Sequence, residues 1–138
     1  MSVNKVKIRI VTPKREMYNG EADMVIFRTV NGDVGVMHGH IPLITVLGYG
    51  MLRIIDNNET VKTASMFGGF VEVDNEGVSI LTDTSEWADE IDVQRAEEAK
   101  SRAEQRLGGT KIDDFDEKRA ELALKRAIIR LETAKRYK

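Results

Sequence analysis

Residues 78–107 and 110–138 contain neither glycine nor proline, whereas nine of the eleven glycines and both prolines fall in residues 1–77. Gly108 and Gly109 alone separate the two uninterrupted segments. This divides the chain near residue 88 into a half with turns at short intervals and a half free to run as two long helices. At 138 residues there is room for one domain, or one small domain with an appendage, and not for a large multidomain enzyme.

The first half reads as strands. Val6, Ile8 and Ile10 alternate with Lys5, Lys7 and Arg9, a period of two with one wet face. Met24 to Val30 is apolar on both faces apart from Arg28 and Thr29, which predicts deeper burial. Further short runs occupy 43–47, 51–55, 60–66, 70–73 and 78–81. Asp56-Asn57-Asn58-Glu59 and Asp74-Asn75-Glu76-Gly77 are hairpin turns, built of residues that tolerate positive φ and bond their own backbone. Many short strands with no helix-length segment between them predict a sandwich or barrel, not an alternating parallel sheet.

The second half reads as a helical hairpin. Val93, Ala96, Ala99, Ala103 and Leu107 share one helical face, with Asp89, three before Asp92, in a capping position. Gly108-Gly109-Thr110 stops that helix and turns the chain. Asp114 with Glu117 resembles a capping box for a second helix, whose apolar stripe is Leu124, Ala127, Ile128, Leu131 and Ala134. The link is short, so the helices run antiparallel. The fold class is therefore α+β: an antiparallel β-sandwich over 1–87, then a two-helix antiparallel hairpin over 88–138. An alanine-faced helix buries little area at about 25 cal/mol per Å², yet alanine has the highest helix propensity. That combination serves a movable arm. The plainer alternative is a fixed appendage, which composition alone favours.

Composition narrows the function. Hydrophobic residues at 41% and charged residues at 32% describe a globular chain, not a disordered one. No apolar run approaches the roughly 20 residues of a membrane span, and the opening MSVNKVKIRI lacks the apolar core of a secretory signal. With no cysteine there are no disulfides, no thiol catalysis and no cysteine-ligated metal, which fits a cytosolic face. The net charge of −2 gives no general attraction to nucleic acid or membrane. Charge is nevertheless uneven: residues 118–138 hold eight basic and two acidic side chains, a net of +6, which suggests an acidic partner.

Val34 to Leu43 reads V-G-V-M-H-G-H-I-P-L. Histidines two apart could ligate a metal, but no cysteine or obvious third ligand accompanies them, so an exposed partner-contacting loop is the better reading. There is no Gly-Lys-Ser/Thr phosphate loop, no Gly-x-Ser-x-Gly, and no nucleophile with a base beside it. Arg119, Arg126 and Arg130 fall at steps of seven and four on one helix face. An antiparallel partner helix would bring Arg95 toward them, and clustered guanidinium groups call for an anion. On charge alone, a solvated face balanced by Glu97, Glu98 and Glu121 is the simpler account.

In order, length and motif, the chain resembles the epsilon subunit of bacterial F-type ATP synthases. Gly32-Asp33-Val34-Gly35 through Gly39-His40-Ile41-Pro42-Leu43 is similar to that family's most recognisable stretch. Ile91-Asp92-x-x-Arg95-Ala96 resembles the signature of its ATP-binding members, and 118–127 resembles the second helix of Bacillus-type members.

The resemblance implies a non-catalytic rotor subunit at the cytoplasmic side of the cell membrane, peripheral to it. The sandwich would touch the gamma subunit and the c-ring, with Asp33 and His40 in a loop facing the ring. The hairpin would exchange between a folded and an extended state. In the extended state its basic residues, Arg119 and Lys125 among them, would meet the alpha and beta subunits and block ATP hydrolysis. ATP would be a regulatory ligand favouring the folded state, with magnesium left open as its companion. Its candidate residues are Glu86, Ile91, Asp92, Arg95, Ala96, Arg126 and Arg130. The alternative is a stand-alone β-sandwich module whose basic helix grips an acidic partner such as nucleic acid. Residues 118–138 offer that reading a single aromatic, Tyr137.

Overall fold

The computed structural model describes residues 4–109 and 113–136. They divide into two compact units, 1–87 and 88–138.

The first unit holds ten strands: β1 Val6–Val11, β2 Glu16–Ala22, β3 Met24–Thr29, β4 Gly32–Met37, β5 Leu43–Val46, β6 Tyr49–Asp56, β7 Glu59–Phe67, β8 Gly69–Asp74, β9 Gly77–Thr82 and β10 Ser85–Trp87. They form two five-stranded sheets, ordered β2-β1-β9-β8-β5 and β10-β7-β6-β3-β4. Every pairing is antiparallel except β1 with β9, which is parallel. The period-two pattern explains the core. Val6, Ile8 and Ile10 of β1, Val78 and Ile80 of β9, Val25 and Phe27 of β3, and Leu52 and Ile54 of β6 turn inward into one buried cluster. Fully burying a side chain of this size contributes about 1.5–3 kcal/mol.

Both expected turns form. Asn57 and Asn58 take φ of 55° and 62°, the left-handed pair that closes a two-residue hairpin. The Asp74 carboxylate accepts the backbone N–H groups of Glu76 and Gly77 at 2.8 and 3.1 Å.

Two expectations need correction here, and two strands had no counterpart in the sequence reading. Val34 to Met37 is not loop but most of strand β4, paired residue for residue with β3. Its glycines hid the alternation of Val34 and Val36. Strand β2 was also hidden: only Met17 and Ala22 of its seven residues are buried, so it carries little apolar signal. β10 is three residues long, too short for a period to register. Met24–Thr29 buries one face, not two: Val25, Phe27 and Thr29 point inward while Arg28 is exposed.

An ion-pair cluster ties the two sheets at one end. Lys5 Nζ, beside β1, pairs with Asp23, between β2 and β3, at 3.3 Å, and with Asp56 at the end of β6. Asp23 also accepts the Asn57 N–H at 2.7 Å. That bond, followed by Lys5, lowers the Asp23 pKa, while the Asp56 hydrogen bond raises that of Lys5. The signs give opposite pH limits. The Asp23 contribution is present above the unfolded carboxylate pKa of about 3.9 and is lost as pH falls through the lower folded value. The Lys5 contribution is present below about 10.4 and is lost as pH rises through the raised folded value. Thermal unfolding of Asp23→Asn followed from pH 7 down to 2 is expected to lose part of the wild-type acid dependence. An unchanged profile would show that the cluster carries none of it.

The second unit starts with a 3₁₀ turn, Ala88–Glu90, followed by α1 Val93–Gly108 and α2 Asp114–Ala134. The helices pack along one another, and a link running only from Gly109 to Asp113 requires them to be antiparallel. The caps differ from expectation. Asp89 lies in the 3₁₀ turn, and Asp92 itself caps α1, accepting the Arg95 N–H at 3.0 Å. Asp113, one residue before the expected box, caps α2 through the Asp116 N–H at 2.8 Å. Gly109 ends α1 with φ −88°, so no left-handed glycine is used, and Thr110 lies outside the described residues.

The apolar seams also shift. Ala96 and Ala103 are buried in α1, but Val93 in its first turn is 44% exposed. In α2 the buried positions are Ala120, Ala127, Ile129 and Thr133, with Leu124, Ile128, Leu131 and Ala134 half-buried. Ile129 and Thr133, four apart, form a second buried stripe, so the later half of α2 is covered over a wider arc than one seam. A polar residue tolerates that burial because Thr133 Oγ1 donates to the Ile129 carbonyl at 2.7 Å.

Candidate functional site

Two separate groups of candidate residues emerge, one in each unit.

In the hairpin, Ile91 and Ala96 are buried, while Asp92, the cap of α1, and Arg95 in its first turn are exposed. The Asp92 carboxylate has a structural task, because it holds the first turn through the Arg95 N–H. Arg126 and Arg130, one turn apart on α2, are both half-buried, and neither is without a partner. Arg119 and Lys125 are exposed. Arg119 lies 5.7 Å over the ring of Phe115, itself 69% exposed. The earlier half of α2 therefore presents cationic and apolar groups outward together.

In the sandwich, Glu86 is half-buried on β10, its N–H donating to Ser65 Oγ of β7 at 3.3 Å. Asp33 and His40, expected in one loop, stand toward opposite ends of β4. About 13 Å of extended backbone separates Asp33 from Met37, and His40 follows in the loop beyond, its N–H donating to the Met37 carbonyl at 3.2 Å. His40 Nδ1 lies 2.6 Å from the Ile41 carbonyl oxygen.

Two features were missed in the sequence. Arg28 pairs with Asp33, Nε to Oδ1 at 2.6 Å and Nη2 to Oδ2 at 3.5 Å. Asp33 raises the Arg28 pKa further above its ordinary value. Cross-strand register is the signal that would have found the pair, since Arg28 and Asp33 are directly opposed in the β3–β4 hairpin. The second is an outward apolar row: Val46, Phe70 and Leu81 are all exposed and face one another across β5, β8 and β9. Among the described residues, no helix is long and apolar enough to cross a membrane.

A sandwich with an outward apolar row, followed by a capped two-helix hairpin whose last 21 residues carry a net +6, defines the class: a small binding subunit of two units. Comparison with known proteins makes it particular. The family model for the "ATP synthase, Delta/Epsilon chain, beta-sandwich domain" matches residues 5–88, and the model for the "long alpha-helix domain" of the same chain matches 89–135. The ATP synthase epsilon chain of Halalkalibacterium halodurans is 44% identical over 129 residues, 94% of this chain and 96% of that one. That of Clostridium kluyveri is 44% identical over 130 residues, 94% and 97% of the two chains. A chain of the Euglena gracilis mitochondrial ATP synthase, in an OSCP/F1/c-ring structure, shares the fold at TM-score 0.80 and 22% identity, over 94% of this chain and 81% of its own. The chain belongs to the ATP synthase delta/epsilon family, as an epsilon chain, a non-catalytic subunit of that enzyme.

Proposed function

We propose that this chain is a rotor subunit of the central stalk that restrains ATP hydrolysis through a movable hairpin. The sandwich attaches to the gamma subunit and the c-ring, with Asp33 and His40 among its ring contacts. The hairpin exchanges between a folded state and an extended state in which Arg119 and Lys125 meet the alpha and beta subunits. As part of that complex the subunit works at the cytoplasmic side of the cell membrane, peripheral to it. The observation that carries this reading is the hairpin itself: a separate compact unit with a small alanine seam, whose second helix exposes cationic groups. Good helix propensity keeps both helices formed in either state. Purification of the intact complex through another subunit is expected to recover this chain with gamma in equal amount. Recovery only as a free monomer would overturn the rotor reading.

ATP, with or without magnesium, is the proposed regulatory ligand, and it favours the folded hairpin. Arg126 and Arg130 supply guanidinium groups from one face of α2 to the phosphates. Ile91 and Ala96 are buried at the start of α1, so they back the site from beneath rather than face the nucleotide. Asp92, already engaged as the cap, and Glu86 suit the adenine, the ribose or an arginine rather than phosphate, whose charge would repel them. Arg95 can serve either end of the nucleotide.

A further inference from the structure

We infer that Arg28 is a positioning residue for Asp33, and that a glycine track at the start of β6, Gly48 and Gly50, holds it in place. The inference rests on the proposed reading of Asp33 as a ring-contacting residue, and adds how that carboxylate is aimed.

The geometry begins with the hairpin. Arg28 and Asp33 are opposed in the β3–β4 ladder, close to its turn. The turn is itself tied down: Thr29 Oγ1 donates to the Gly32 carbonyl at 2.7 Å and accepts the Asn31 N–H at 3.1 Å. The guanidinium reaches the carboxylate through two N–H groups, a fork that fixes direction as well as distance. Both side chains are about half exposed, Arg28 at 47% and Asp33 at 50%, so the pair is available at the surface.

Arg28 is held from its other side by the absence of a side chain. A Cβ built on Gly50 would lie 2.7 Å from Arg28 Cβ and 2.9 Å from its Cγ. One built on Gly48 would lie 3.4 Å from that Cγ and 3.0 Å from the Thr29 carbonyl oxygen. The Arg28 stem therefore lies in a shallow track that only glycine leaves open. Gly48 also donates its N–H to the Arg28 carbonyl at 2.9 Å, fixing the backbone beneath the stem. Gly50 has no positive φ, so its backbone accepts any residue. Its glycine is required by the space that Arg28 occupies, not by its own conformation.

The consequence is that the end of the β3–β4 hairpin carries a guanidinium–carboxylate pair of no net charge rather than a bare carboxylate. A partner meeting it must offer both a donor and an acceptor, as polar backbone or amide groups do. A cluster of cations would meet Arg28 as well as Asp33.

The test measures affinity of the full-length chain for the ring-bearing rotor complex depleted of it, for wild type, Arg28→Ala, Asp33→Asn, the double variant and Gly50→Ala. Wild-type binding establishes the rotor reading independently of the inference. Arg28→Ala and Asp33→Asn are each expected to weaken binding by about three- to fivefold, the scale of an exposed ion pair. The double variant is expected to be no weaker than either single one, because one unit is being removed. Gly50→Ala should reproduce the Arg28→Ala loss with the arginine still present. If it folds poorly, the three-way cycle decides alone. A purely structural pair would lower the melting temperature while leaving affinity unchanged, which overturns the inference. Weakening by Asp33→Asn alone, with Arg28→Ala equal to wild type, overturns it as well.

Discussion

A chain ending at Trp87 is expected to join the rotor normally and to release ATP hydrolysis by the assembled complex. The cut position follows from the sandwich. Trp87 is the last residue of β10, and its ring packs edge-on against Tyr18 at 6.3 Å and lies beneath Lys62 Nζ at 4.4 Å. It belongs to the core cluster with Ile8, Phe27 and Ile80, so a cut before it would open the sandwich. A cut after it removes only the second compact unit. That unit takes the +6 segment with it, and the truncated chain retains net −3. If the hairpin's hold on the catalytic head is worth about 1.4 kcal/mol or more, its loss raises the uninhibited fraction about tenfold or more. Steady-state hydrolysis by complexes rebuilt with full-length or truncated chain measures this. Equal rates, with both chains incorporated, would locate inhibition outside the hairpin.

Legibility in the sequence tracked apolar content. β1 and the two polar turns were readable because alternation and positive-φ residues are local signals. β2 and β4 were not, since Glu16-Met-Tyr-Asn-Gly-Glu-Ala and Gly32-Asp-Val-Gly-Val-Met owe their strand state to neighbours already in the sheet. The parallel pairing of β1 with β9 joins residues about seventy apart in the chain, which no local period reports. In the hairpin, helix existence was plain from the missing glycines, while caps slipped because Asp89, Asp92, Asp113 and Asp114 all have capping chemistry and only backbone geometry selects among them. The nucleotide candidates were named through a signature resemblance; residue chemistry alone made Arg126 and Arg130 part of an ordinary charged face. Arg28 was invisible as a partner of Asp33 because a five-residue separation has meaning only once the β3–β4 register is known.

The isolated subunit is expected to bind ATP more tightly than ADP, with Arg126→Ala weakening ATP by about tenfold or more. Arg126 is half-buried, which strengthens a charge-assisted bond relative to one made in bulk water. Such a bond contributes about 1.5–3 kcal/mol, and 1.4 kcal/mol is about tenfold in affinity. ATP brings one more phosphoryl group than ADP to Arg126 and Arg130, so Arg126→Ala should narrow the ATP-to-ADP ratio as well as weaken both. Asp92 needs two substitutions, because it caps α1. Asp92→Ala removes the cap, at about 1 kcal/mol of helix stability, together with the carboxylate, whereas asparagine caps about as well as aspartate. If Asp92 contributes only by holding the first turn, Asp92→Asn should bind like wild type and Asp92→Ala more weakly. If its charge orients the nucleotide or Arg95, both should lose affinity. A ligand that binds the folded hairpin better shifts it toward that state, by no more than the difference between its affinities for the two states. Calorimetry with ATP and ADP on wild type and the three variants, alongside helix content by circular dichroism, separates these cases. Equal ATP affinity in all four proteins would remove Arg126 and Asp92 from the nucleotide site.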